Sequence, residues 1–412
     1  MRRAKRVLFV PFGSEGDVNP LLWLAGLLAE RGHHPVFLLT PHYGHLAAQR
    51  GFEWHPIGTE EDFQRMANDP ALWKTVTGTW RVARAMHESL PVYQEAFEKI
   101  GGNFDLLVSS SFGLAASALA EARGIPRLML HLQPMCLRSH GDMPVPVAGG
   151  EWFCRAPAIV QDAAFFCVDG ILNRTMLPPL NRFRQGLGLP VLRDFYRDAL
   201  CGAEGLALLS PEWFAPPQPD WPTGLRQFDF PLIPSPPRAL PEALCKWLNA
   251  GEAPVLWTHG SANVHLETSH QLALDVTKKT GGRALLVGKV VPASQLPENI
   301  FHFPHVPFED LLPSCRAIVH HGGIGTLSKS FAAGTPQLIL PLAHDQHDNA
   351  ARVERLQAGF EVRPRVQNAS EKLQTLLASQ EIAAGVSRCR ELAARSGNRA
   401  SALADWAEEI AL

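Results

Sequence analysis

KRVLFVPFGSEGDVNPLLWLAGLLAERGHHPVFLLT, residues 5–40, reads as strand, loop, helix and strand. Lys5–Phe12 is an apolar run that stops at Gly13. Leu21, Leu24, Ala25 and Leu28 then recur at helical spacing up to Gly32, and Pro35–Thr40 is apolar again. A strand, a crossover helix and a second strand make a parallel pair. The alternation returns at Asp105–Ser109, at Ala115–Arg123 closed by Gly124, and at Pro126–His131, with one more strand at Leu206–Ser210. Between Glu151 and Leu200 the pattern is helical and aromatic.

The prolines of 211–222 and 230–237 are too dense for a helix or a central strand. A linker is therefore expected at 229–241, after a first domain over 1–228. Strands then follow at Pro254–Thr258, Arg283–Val287, Ile300–Phe303, Ala317–His320 and Gln337–Pro341. Helices are expected at His265–Thr280, Thr326–Ala333 and Asn349–Ala358, giving a second domain over 242–395. Leu403, Trp406 and Ile410 place a helix in 396–412 that can cross back to the first domain. The fold class is α/β, with two doubly wound parallel sheets.

The chain has 412 residues, 46% apolar and 19% charged, with a net charge of −2, which excludes disordered and fibrous classes. A charge near zero offers no footprint for nucleic acid. The longest apolar run, Leu21–Ala29, is too short to span a membrane, and the basic start reads as a solvated lead into a strand. Seven cysteines without a C-x-x-C encode no disulfide framework or thiolate zinc site, so a cytoplasmic protein without a metal is expected. The pairs His344/His347 and His302/His305 are weak metal signals.

Three strand-to-helix loops carry possible chemistry. In Gly13-Ser-Glu-Gly-Asp-Val-Asn-Pro20 the glycines permit tight turns at a strand's carboxyl end, and Asp17 reads as a helix cap or a functional acid. In His320-His-Gly-Gly-Ile-Gly-Thr326 the free amides, the helix dipole, His321 and Thr326 suit a diphosphate, although neither a Walker loop nor G-x-G-x-x-G is present. In Ala343-His-Asp-Gln-His-Asp-Asn-Ala350, Asp345 and Gln346 have the groups to hold two sugar hydroxyls, while Asp348 and Asn349 also read as caps. Ser261 lies at another strand end of the second domain.

His321-Gly-Gly-Ile-Gly-Thr326, Gly334-Thr-Pro336 and Asp345-Gln-His-Asp-Asn-Ala350 together resemble the nucleotide-sugar signature of family 1 glycosyltransferases. Gly13-Ser-Glu-Gly-Asp-Val-Asn-Pro20 looks like the bacterial and sterol branch. Trp213-Phe-Ala-Pro-Pro-Gln-Pro-Asp-Trp-Pro222 is similar to the rhamnosyltransferases of rhamnolipid synthesis. The resemblance covers nearly the whole chain and implies the GT-B architecture, two Rossmann-like domains facing across a cleft, acceptor first and donor second. It implies a catalytic Asp17, standing where plant members have His. It also implies donor contacts by Ser14, Ser261, His305, Val306, His321, Gly323, Gly325, Thr326, Asp345 and Gln346. Lys329 replaces the plant ribose-binding Glu, His305 and Phe308 replace the base-stacking Trp and nearby Gln, and Ser110 stands near the position of the helper Asp.

The expected activity is inverting transfer from a dTDP- or UDP-linked sugar, rhamnose or glucose, to a hydroxyl of a hydrophobic acceptor such as a hydroxy fatty acid or flavonoid. No cofactor or metal is expected, since no Asp-x-Asp occurs. A lipid acceptor would bring transient contact with a membrane surface. Trp73, Trp80, Trp152, Phe153, Phe165, Phe166, Trp213 and Phe214 are read either as acceptor walls or as core. The helix N-terminus is expected to lower the Asp17 pKa. A nucleotide-sugar epimerase of the same fold and a non-catalytic partner subunit are the alternatives.

Overall fold

The computed structural model describes residues 3–73, 75–145, 147, 149–232, 240–258, 267–288, 296–363, 365–395 and 399–411. The chain forms two compact units, Met1–Pro144 with Gly150–Pro231 and Asn398–Leu412, and Val145–Gly149 with Leu232–Gly397.

The first unit runs β1 (Arg6–Val10), α1 (Glu15–Glu30), β2 (His34–Leu39), α2 (Pro41–Ala48), β3 (Glu53–Pro56), α3 (Glu60–Ala67), α4 (Thr75–Ile100), β4 (Leu106–Ser110), α5 (Leu114–Ala122), β5 (Arg127–His131), α6 (Ala158–Gly186), β6 (Gly205–Leu209) and β7 (Leu225–Phe228). Its parallel sheet has the order β3-β2-β1-β4-β5-β6-β7. Successive side chains of a strand point to opposite faces. Leu8, Val10, Leu107 and Met129 accordingly join one core with residues of α4, α5 and α6. Val7, Phe9, Leu106, Val108, Leu128 and Leu130 join another with α1. The chain direction out of β1 sets the useful feature. The order reverses between β1 and β4, and the loop leaving β1 emerges at that switch point.

The second unit runs α7 (Glu242–Asn249), β8 (Val255–Thr258), α8 (Glu267–Thr280), β9 (Ala284–Val287), β10 (Ile300–Phe303), α9 (Phe308–Leu311), β11 (Ala317–His320), α10 (Ile324–Ala333), β12 (Gln337–Ile339), α11 (Gln346–Arg355), β13 (Gly359–Glu361), α12 (Val366–Ala378) and α13 (Gln380–Arg395). Its parallel sheet has the order β10-β9-β8-β11-β12-β13, with the switch point between β8 and β11. The glycine-rich loop leaves β11 there. The last helix, α14 (Ala400–Ile410), belongs to the first unit. Leu403, Ala404, Trp406 and Ala407 complete the second of its cores, and Trp406 stacks on Phe228.

Several elements differ from the sequence reading. α10 begins at Ile324 and α11 at Gln346, both earlier than expected, so Gln346 is helical rather than part of the loop. α1 begins at Glu15, which puts Pro20 in its second turn, where it leaves the Gly16 carbonyl without its helical donor. The sequence reading has no counterpart for α2, α3, α4, α7, α9, α12 and α13 or for the short strands β3, β7 and β13. Residues 233–239, within the expected linker, lie outside the described residues.

Candidate functional site

In the first unit, β1 delivers the chain to Gly13 and α1 takes over at Glu15. Ser110, at the end of β4, latches this loop: its buried hydroxyl accepts from Phe12 N at 2.9 Å. Gly13 has φ +131° and is needed twice over, because a Cβ there would collide with the Asp17 carboxyl group, whose Cγ would lie 2.7 Å away. Ser14 is the N-cap of α1 and Asp17 its third residue, joined in a capping box. Ser14 Oγ accepts from Gly16 N at 3.2 Å, and Asp17 Oδ2 accepts from Ser14 N at 2.7 Å and Ser14 Oγ at 3.1 Å.

The cap reading thus belongs to Ser14, while Asp17 is the acidic partner of the box. Ser14, expected among the donor contacts, spends its hydroxyl on Asp17 and the helix start. The expected lowering of the Asp17 pKa is reversed. Burial disfavours its charge by more than the Ser14 hydrogen bonds favour it, and the pKa is pushed up to about 6. Beside Phe12, an apolar recess is walled by Met86, Leu90, Phe112, Met176 and Leu180, and His87 lines it with an Nε2 that has no hydrogen-bond partner among the described residues.

Removing the Ser110 latch makes a direct check on this loop. Ser110→Ala is expected to cost about 1–2 kcal/mol of stability, by leaving Phe12 N without its partner. Urea unfolding measures this, and an unchanged midpoint would show that the latch is not formed in solution.

In the second unit, the two adjacent histidines have different tasks. His320 is fully buried, donates through Nε2 to Gln337 Oε1 at 2.9 Å and accepts through Nδ1 from Gly322 N at 3.1 Å, so it shapes the loop. His321 lies with its ring against Gly323, where any Cβ would strike it. Its Nδ1 is buried without a partner among the described residues, and burial, with His320 beside it, lowers its pKa to about 3. The ring is neutral at physiological pH. Gly322 has φ +95°, and a Cβ on it would stand 2.8 Å from Ile339 Cγ2.

Gly323 is the N-cap of α10 and no side chain caps that helix. The amides of Gly323, Ile324 and Gly325 meet no acceptor among the described residues, and space is open at Gly325. Thr326 closes the turn through its own amide to Gly323 O. A neutral imidazole beside three unspent amides at a helix N-terminus is an anion cradle.

Asn349 ties this loop to the next, donating to Gly322 O at 2.8 Å and Asp345 Oδ2 at 2.7 Å. It is therefore no cap, and neither is Asp348. Asp348 is buried against Arg352 at 2.8 Å and accepts from Val145 N at 3.0 Å. Asp345 holds the N-cap position of α11 without a side-chain capping bond. Gln346 is buried and its Oε1 accepts from Leu342 N and Ala343 N, leaving its Nε2 for a ligand. His344 has φ +61° in the turn between them.

His305 is exposed on the loop after β10. Val306 is buried in the core, 3% exposed, and does not face the loop surface. Lys329 pairs with Glu309 at 2.8 Å, which returns a carboxylate to the neighbourhood of the position where Glu was expected. Ser261 lies outside the described residues, and so does the Trp73 side chain. Of the other aromatics, Phe214 is core, whereas Trp80, Trp152 and Phe166 are exposed. Among the described residues no group of three or more His, Cys, Asp or Glu is placed to hold a metal ion. No helix among them is long and apolar enough to cross a membrane.

The residues that sequence reasoning missed here are Ser110 as a latch, His320 as a scaffold and Asn349 as a bridge. Each acts across strands, and only the polar character of Ser110 and Asn349 at strand or helix ends hinted at it.

Residues 287–400 match the family of C-terminal domains like that of erythromycin biosynthesis protein CIII. An uncharacterized glycosyltransferase of Mycobacterium bovis is 26% identical, with 97% of each chain covered. The O-mycaminosyltylonolide 6-deoxyallosyltransferase of Streptomyces fradiae is 29% identical over 87% of this chain and 85% of its own. Among solved structures, a spinosyn rhamnosyltransferase complexed with thymidine diphosphate shares the fold, with a TM-score of 0.67 and 19% identity over 98% of this chain and 100% of its own.

Proposed function

For this GT-B glycosyltransferase of the antibiotic and sterol type, we propose inverting transfer of a sugar, rhamnose or glucose, from a dTDP- or UDP-linked donor to a hydroxyl of a hydrophobic acceptor. The observation that carries this reading is the cradle of the second unit, neutral His321 and the amides of 323–325 at an uncapped helix start. Donors held in place where charge develops on a departing diphosphate are the largest electrostatic aid to such a step. Asp345 and Gln346 Nε2 then take sugar hydroxyls.

In this reading the acceptor oxygen attacks the anomeric carbon from the face opposite the nucleotide. Its proton passes to Asp17, the carbon–oxygen bond to the diphosphate breaks, and the diphosphate leaves with the electron pair. A carboxylate whose pKa is about 6 is ionised at neutral pH yet more basic than an ordinary Asp, which suits a general base. Ser14 orients it through two hydrogen bonds to Oδ2. The apolar side chains beside Phe12, Met86 and Met176 among them, favour a hydrophobic acceptor such as a hydroxy fatty acid, flavonoid or other aglycone, for which the recess of about 10 Å³ has to open. The thymidine diphosphate complex of the rhamnosyltransferase relative supports dTDP ahead of UDP. The amide and imidazole donors take the part a divalent ion has in other transferases.

The test is calorimetric titration of the full chain with dTDP and with UDP in EDTA. A Kd of about 1–100 μM for one of them is expected, roughly −8 to −5.5 kcal/mol. Absence of binding by both, or binding only after magnesium is restored, would overturn the donor site as described.

A further inference from the structure

The second unit has a cavity that the transfer reaction does not use. It measures about 290 Å³, near the low end for small-ligand pockets, and lies at the amino-terminal end of the sheet, away from the glycine-rich loop at the carboxyl end. Val255 is the first residue of β8, and Arg316 directly precedes β11. Thr277 comes from α8, and Leu373 and Leu377 from α12.

Trp257 is the key residue. Alternation along β8 sends Leu256 into the core with α7 and α9, while Trp257 lines the cavity, 2% exposed, with an indole N–H that meets no acceptor among the described residues. A buried donor without a partner is uncommon in a folded protein and calls for an explanation. The other polar side chains of the lining are Arg283 and Arg316, which only donate, and Thr277, Thr280 and Gln374, which donate or accept. Among the described residues, Arg316 at the rim pairs with the exposed Glu252 alone, at 3.6 Å, a pair that solvent weakens. The Thr277 hydroxyl makes no hydrogen bond within the described residues. Arg283 is already engaged with the carbonyls of Trp247, Leu248 and Glu252 and lies over the Trp247 ring, so it shapes the wall.

We infer that this cavity is a second ligand site, for a small monocarboxylate with an apolar body. Its carboxylate accepts from Trp257 Nε1 and the Arg316 guanidinium, displacing Glu252, and its hydrocarbon lies along Val255, Leu373 and Leu377. Trp257 Nε1 and the Arg316 guanidinium, which only donate, select an anion over a neutral ligand; Thr277, Thr280 and Gln374 of the lining can donate or accept, and the apolar walls select its tail. The inference is independent of glycosyl transfer, since none of these residues is placed in the donor cradle or beside Asp17.

Octanoate is the probe, titrated calorimetrically into the full chain alongside 1-octanol, its neutral counterpart. Octanoate is expected to bind one to one with a Kd of about 1 mM or below, and 1-octanol about tenfold more weakly. Trp257→Phe and Arg316→Gln are each expected to weaken octanoate by about fivefold or more, with dTDP or UDP binding unchanged. Arg316 is exposed, so its substitution leaves the core intact even where Trp257→Phe disturbs it. No heat up to about 10 mM octanoate, octanol binding as tight as octanoate, or affinity indifferent to both substitutions would each overturn the site. The last outcome places octanoate elsewhere, as an acceptor-like ligand of the first unit. Failure of nucleotide binding would count only against the proposed transfer.

Discussion

Asp17→Asn is expected to lower kcat by about 10²–10⁴-fold, the usual contribution of a positioned base, with nucleotide affinity unchanged. Wild-type kcat should fall as pH drops through about 6, because the base must be ionised. The residual activity of the variant should lack that limb. A variant keeping more than about a tenth of the rate would remove Asp17 from the mechanism. The same substitution has an unusual stability sign. The fold raises this pKa from 3.8 to about 6, so the protonated form is favoured in the folded state. The gain is present below pH 4 and lost as pH rises through about 6. At pH 7.5 the half-buried carboxylate is instead a penalty, at most about 3 kcal/mol for two pKa units and less where solvent reaches it, and Asn removes it while still accepting from Ser14. The variant should therefore melt at least as high as wild type at pH 7.5, and thermal denaturation checks this. A lower melting temperature there would mean that the carboxylate is well solvated.

His321→Ala is expected to weaken dTDP or UDP binding by about 10–100-fold, the loss of one hydrogen bond to a charged partner. Stability should hold, since the Ala substitution also removes an Nδ1 buried without a partner among the described residues. His321→Gln keeps a donor and should recover part of the affinity. By contrast His320→Ala should destabilise the unit, because His320 holds Gln337 and Gly322 N. If His321→Ala bound nucleotide as tightly as wild type, the diphosphate would not lie in the 321–326 loop.

Where a function depends on neighbours in sequence, it was legible. The alternation of residues 5–40 and its recurrence specify parallel sheets, and two glycine-rich turns read as strand ends, whereas the strand order that makes those ends switch points does not follow from the sequence. Where it depends on neighbours in space, it was not. The direction of the Asp17 shift is set by burial, which a local helix-dipole argument misses. Asp348 and Asn349 share a motif yet serve different partners, Arg352 and Val145 for one and Gly322 and Asp345 for the other. The cavity at Trp257 gathers residues from β8, α8, α12 and the approach to β11, and no spacing announces it.

The short segment Val145–Gly149, flanked on both sides by residues of the first unit, belongs to the second, where Val145 N bonds to buried Asp348. The first unit in turn takes its last helix from beyond residue 397. A chimaera that exchanges halves at residue 232 would thus inherit mismatched pieces. The foreign second half would meet a segment evolved for another carboxylate, and the first would carry a substitute for Trp406 against Phe228. Recombination that moves 145–149 together with 232–397, and keeps α14 with the amino-terminal half, respects the units as they fold.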